Sequence, residues 1–152
     1  MNPLTIYQDA LNTVSQAVLV GDFFRFAAMI DLPYLVRTAD ADLLVQTTAD
    51  LHPAFMAVHG GLKSRGVTHY ERVARSADYV ARHRIEGWHH THMLADGRAL
   101  NRAHASSQTL VQRGQLWLFS EARYDAVKGD RWPLSFSNIF DAVDRHGGDA
   151  SQ

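Results

Sequence analysis

Two dipeptides in the second half of the chain, Asp96–Gly97 and Arg113–Gly114, limit its fold more than any other feature. Each sits between long alternating runs, and each is short enough to turn one strand straight into an antiparallel neighbour. The connection A-R-H-R at Ala81–Arg84 is equally short. Long strands are therefore predicted near Tyr70–Val80, Arg84–Ala95, Arg98–Gln112 and Gln115–Val127. A last extended piece, W-P-L-S-F-S-N-I-F, adds to the sheet or to its edge.

The first half carries helix punctuation. Asn2 caps a helix and Pro3 fits its first position, where a missing N–H costs nothing. Leu4, Tyr7, Leu11, Val14 and Val18 recur at helical spacing up to Gly21. Asp22 caps a short aromatic helix, F-F-R-F-A-A-M-I, expected to stop before Pro33. Residues 33–47 predict two short strands around the turn A-D-A-D. Asp50 or a preceding Thr then caps a third helix, with Leu51, Phe55, Val58 and Leu62 as its stripe and Gly66 at its close. Helices first and antiparallel strands later define an α+β domain with the helices on one face of a curved sheet. We expect one domain over residues 1–145 and a mobile tail over 146–152.

Composition removes several function classes. The formal net charge of −1 leaves no basic excess for a phosphate backbone, so no nucleic-acid partner is expected. There is no cysteine, which excludes thiol nucleophiles and thiolate metal sites and permits a reducing compartment. No stretch approaches the roughly 20 apolar residues of a membrane helix, and the N-terminus lacks a signal-peptide pattern. The expected location is the cytoplasm, with no membrane partner.

Strand alternation assigns faces once the turns set the register. If both dipeptides are two-residue loops, one face collects Trp88, His90, His92, Asn101, Ala103, Ala105, Ala122 and Tyr124. These are small residues with a few large polar-tipped ones, as expected of a wall facing helices or a ligand. The opposite face then holds His89, Met93, His104, Leu110, Trp117 and Phe119. There Met93, Leu110, Trp117 and Phe119 would form an apolar patch suited to a homodimer. One β-bulge would invert part of this assignment.

The strand core Y-E-R-V-A-R-S-A-D-Y-V, R-I-E-G-W-H-H-T-H-M-L-A-D-G-R and L-V-Q-R-G-Q-L-W-L-F-S-E-A resembles small bacterial members of the nuclear-transport-factor-two-like superfamily. That superfamily includes ketosteroid isomerase, scytalone dehydratase and SnoaL-like cyclases, and the resemblance covers roughly residues 4–140. It implies a cone: a curved antiparallel sheet wrapped around three N-terminal helices, with an interior pocket and dimers through the sheet. It also implies acid/base groups in the pocket, though no specific catalytic motif of the superfamily is reproduced, and the residue types here lie closer to the dehydratases.

His90 and His92 point the same way on one strand. H-x-H can bind a metal given a third ligand, but no H-E-x-x-H and no facing ligand accompanies it, so no metal or other cofactor is assigned. One of them can instead serve as an acid or base, because imidazole titrates near neutral pH. Otherwise both are pocket-wall residues with satisfied hydrogen bonds. Tyr124 or Tyr7 is the expected helper, orienting the histidine or donating. Trp88, Tyr7, Arg75, Asn101, Phe24 and Phe55 are the expected pocket lining. A buried Arg75 would need a carboxylate or an anionic ligand. Serines lack a nucleophile elbow, and Gly60–Gly61 is not a phosphate loop.

Two functions follow. One is a lyase or isomerase without cofactor, acting on a small apolar or aromatic carbonyl compound. The other is a non-catalytic module binding a small hydrophobic ligand or a protein partner.

Overall fold

The computed structural model describes residues 2–38, 42–100 and 104–124. Among the described residues the chain runs α1 (Pro3–Val20), α2 (Phe23–Ala28), β1 (Ile30–Thr38), β2 (Asp42–Val45), α3 (Thr48–Ser64), β3 (His69–Ala81), β4 (Arg84–Ala95), β5 (Arg98–Ala99), β6 (His104–Arg113) and β7 (Leu116–Tyr124). The extended piece expected at residues 132–140 and the tail expected at 146–152 lie outside them.

The helices start and stop where their caps put them. Asn2 Oδ1 accepts from the Leu4 N–H at 2.8 Å, and Gly21 ends α1 at φ +84°. A side chain at Gly21 would also meet the His59 ring at 2.9 Å. Thr47, not Asp50, caps α3, accepting from the Asp50 N–H at 3.2 Å. The stripes are buried as spaced: Tyr7, Leu11, Val14 and Val18 on α1, and Leu51, Phe55 and Leu62 on α3. Leu4 lies exposed near the helix start, and Val58 of the α3 stripe is half-buried. Phe23 and Phe26 of α2 pack on Phe55, with ring centroids 5.4 and 5.1 Å away.

The short aromatic helix ends earlier than its pattern predicts. Strand β1 begins at Ile30 and carries Pro33 within it. Its ladder with β7 is irregular between Ile30 and Leu35, so the proline falls where a donor is not needed.

The sheet order is β2-β1-β7-β6-β4-β3, with β5 beside the end of β4. Hairpins make most neighbours antiparallel, but β1 pairs with β7 in parallel, so the curved sheet is mixed rather than wholly antiparallel. That pairing joins the first described strand to the last described one, and no turn could have announced it. On the edge strand β3, the Gln8 side chain takes up backbone groups: its amide donates to Arg72 O and accepts from the Ala74 N–H, both at 2.8 Å. This ties α1 to a sheet edge that would otherwise offer free pairing groups. No helix among the described residues is long and apolar enough to cross a membrane.

Candidate functional site

Strand β4, R-I-E-G-W-H-H-T-H-M-L-A, divides by alternation into two faces. Ile85, Gly87, His89, Thr91 and Met93 are buried beneath α1, while Glu86, Trp88 and His92 are exposed and His90 is half-buried. This is the reverse of the expected assignment. The inner run begins and ends on apolar residues, Ile85 and Met93, which gain most from burial. Between them Gly87 leaves a gap that Tyr7 fills; a Cβ at Gly87 would lie 2.8 Å from the Tyr7 ring.

The hairpins account for the rest of the change. Ala95 faces Arg98 as expected. The second loop is Gly114–Gln115, one residue later than expected, with Arg113 opposite Leu116. A bulge then shifts the β6–β7 register between Thr109 and Leu110. Beyond it Gln108 faces Ala122 and Ser106 faces Tyr124, which carries Ala122 and Tyr124 to the His89 face. Met93, Leu110 and Phe119 are buried in the core, and Trp117 packs against that core beside Tyr79 at 6.0 Å. They form no patch on the outer face.

The inner face gathers a polar cluster under α1. Tyr7 Oη and His89 Nδ1 are hydrogen-bonded at 2.7 Å, and both residues are almost wholly buried. Burial, then the charges of Arg72 and His90, push the His89 imidazole down to about 3, so it is neutral at ordinary pH. Burial also pushes the Tyr7 hydroxyl well above its ordinary value, partly offset by Arg72. A neutral imidazole accepting at Nδ1 carries its proton on Nε2. Gln108 joins three tyrosines: Tyr34 Oη donates to its Oε1 at 3.1 Å, its side chain bonds Tyr124, and its backbone lies beside the Tyr7 hydroxyl. Burial holds Tyr34 well above the ordinary range and pushes Tyr124 up to about 12. Arg72, opposite Thr91, is also buried, and its Nε donates to Ser15 Oγ at 2.8 Å.

Of the expected site residues, Tyr7 and Tyr124 enter this cluster, and Phe55 lies in the core under α2. Trp88, His90 and His92 instead form an edge-to-face row on the outer face, with centroids 5.3 and 6.5 Å apart. Glu71 stands opposite His92. Arg75 is exposed, beside an irregularity between Ala74 and Ser76, and Arg72, opposite Thr91, faces inward instead. Phe24 is 85% exposed and lines nothing interior. Asn101 lies outside the described residues. His89 and His104, expected outside, share the inner face, where His104 stands opposite Thr91. Among the described residues no group of three or more His, Asp or Glu is placed to hold a metal.

Sequence reasoning missed His89, Tyr34, Gln108 and Arg72. The readable signal for His89 was its alternation with Ile85, Gly87 and Met93, two apolar ends around a glycine. A surface cavity of about 390 Å³ lies elsewhere, at the hairpin end, lined by Ile6, Tyr79, Arg82, Gln112, Gln115 and Trp117. Its described lining holds no histidine and no carboxylate, so the chemistry points to the buried cluster and not to this hollow.

The architecture, three helices against the curved mixed sheet, is the nuclear-transport-factor-two-like, cystatin-like α+β fold. Solved structures that share it include a nuclear-transport-factor-two-like protein of unknown function from Shewanella oneidensis. That structure has a TM-score of 0.64 at 7% identity, over 82% of this chain and 100% of that one. A protein of unknown function from Mycobacterium tuberculosis also aligns with a TM-score of 0.64, at 12% identity over 93% and 88% of the two chains. A provisionally assigned dehydratase of this fold from Streptomyces avermitilis aligns with a TM-score of 0.59, at 10% identity over 84% and 100%. No protein-family model matches the chain. No curated protein matches it either.

Proposed function

We propose that the chain is a small-molecule pocket protein whose interior cluster runs cofactor-free proton chemistry. Dehydration, isomerisation or cyclisation of a small apolar or aromatic carbonyl compound fits it best. The observation that carries this reading is the buried Tyr7–His89 hydrogen bond of 2.7 Å beneath α1.

A neutral imidazole with a strongly lowered pKa is a poor base but a good hydrogen-bond donor. Tyr7 holds Nδ1 as acceptor, which directs the Nε2–H to a substrate oxygen where negative charge develops. The neutral Tyr124 hydroxyl supplies a second donor or acid. The role expected of His90 and His92 passes to His89, because the outer face offers neither enclosure nor this partner. The Streptomyces avermitilis neighbour, itself provisionally a dehydratase, is in keeping with this class of reaction.

We also infer a homodimer through the outer sheet face, which now presents Val73 and Trp88, each 39% exposed. The cysteine-free composition suits a cytoplasmic setting. The second reading, a binding module, rests on the same cluster being almost wholly buried.

A screen of small carbonyl substrates tests the choice. Tyr7→Phe and His89→Gln should each lower kcat by about 10²–10⁴-fold, the usual range for a lost acid/base or oxyanion group. His90→Ala should leave it unchanged. Turnover that survives His89→Gln and fails in His90→Ala would sink the assignment.

A further inference from the structure

We propose that the interior site takes an anionic ligand, the carboxylate of a small apolar or aromatic acid, with Arg72 as its counter-charge. This rests on the reading of the cluster as a ligand site and adds the ligand's charge to it. Arg72 is 8% exposed on the inner face of β3, opposite Thr91. The described arginines that form ion pairs lie nearer the solvent and each has a carboxylate: Arg37 with Asp42 and Glu121, Arg113 with Asp31, Arg123 with Glu121. Arg72 has none among the described residues.

The described tyrosines and the histidine that its charge reaches are neutral. The charge of Arg72 reaches Tyr7, Tyr34, Tyr124 and His89. Burial keeps those hydroxyls protonated and that imidazole uncharged, so none of them offsets it. The Tyr70 ring lies 5.6 Å from the guanidinium carbon and supplies only a quadrupole. An arginine this little exposed, with no carboxylate partner among the described residues, is costly, and a bound anion relieves the cost.

The geometry selects a carboxylate. Ser15 occupies the Nε–H. The two terminal N–H₂ groups make no hydrogen bond to a described residue, and together they form the end-on fork that a carboxylate matches with two parallel bonds. Tyrosine hydroxyls nearby can donate to the same oxygens. Buried Met93, next along from Thr91 on the same face, favours an apolar body behind the carboxylate.

The experiment is thermal unfolding of the full chain titrated with acetate, benzoate and cinnamate, and with benzamide and inorganic phosphate as controls. Benzoate or cinnamate should raise Tm saturably, with benzamide and phosphate at least tenfold less potent. Arg72→Met should raise the midpoint concentration for the carboxylate at least tenfold, and Arg72→Lys should fall between. Should Arg72→Met fail to fold, the wild-type His89 ring ¹⁵N signals give the answer, since they should move on benzoate binding while those of His90 stay. A wild-type chain that answers benzamide or phosphate as it does benzoate overturns the proposal. So does an Arg72 variant that binds like wild type, absence of a saturable response to all three carboxylates, or His89 signals that stay put. Turnover separates this from the wider reading. Carboxylate binding that depends on Arg72, with no reaction sensitive to Tyr7→Phe, leaves the anion site standing and removes the proton chemistry.

Discussion

His89 and His90 are neighbours in the chain and opposites in the fold. His89 is 1% exposed, bonded to Tyr7, and held neutral by burial; His90 is half-buried, set edge-on between Trp88 and His92 on the outer face. One peptide unit separates an imidazole that must be satisfied by a protein partner from one that lies against other rings at a partly open surface. The difference teaches that on a strand the residue type says little about role until its face is known.

The largest expected consequence is the pH dependence of stability. His89 has a folded pKa of about 3 against an ordinary 6.5. Below 6.5 the unfolded chain takes up a proton that the folded chain refuses, so stability is complete above 6.5 and falls as pH drops toward 3. The slope is about 1.4 kcal/mol per pH unit from this group. Denaturant unfolding of the wild type against His89→Gln should show the variant flatter by that amount across the window; parallel curves would break the comparison.

A second test strikes the gap that seats Tyr7. Gly87→Ala places a methyl 2.8 Å from the Tyr7 ring, backed by the packed sheet, and should cost about 1–3 kcal/mol. An unchanged urea midpoint would mean that α1 can move aside and that the Tyr7–His89 pair is not held by packing. The smallest effect belongs to the other face: His90→Ala should change stability by no more than about 0.5 kcal/mol. A larger loss on dilution than at high protein concentration would instead place His90 in the inferred dimer.

Much of the fold was legible in the chain. The caps at Asn2, Asp22 and Thr47, the glycine stops and the stripes of α1 and α3 act through neighbours three or four residues away, and local chemistry is enough to read them. The Ala95–Arg98 turn was read correctly for the same reason. The site was legible only in part. Tyr7 and Tyr124 were expected in the interior and lie there, while the argument that a buried arginine would need a carboxylate or an anionic ligand was attached to Arg75. Arg72, opposite Thr91, is the buried one, because the His89 face and not the His90 face lies beneath the helices. That choice of face leaves no mark in composition.

What the sequence determined by itself is that His89 and His90 must part, because successive residues on a strand point to opposite sides. It also determined that helices with apolar stripes would cover one of those sides. Which side was decided only when the chain closed. Tyr7 could enter only above Gly87, the bulge in β6–β7 brought Tyr124 round to the same face, and β1 joined β7 in parallel across most of the chain's length. Alternation is a local, symmetric rule; burial is a property of the whole packing, and only the packing breaks that symmetry.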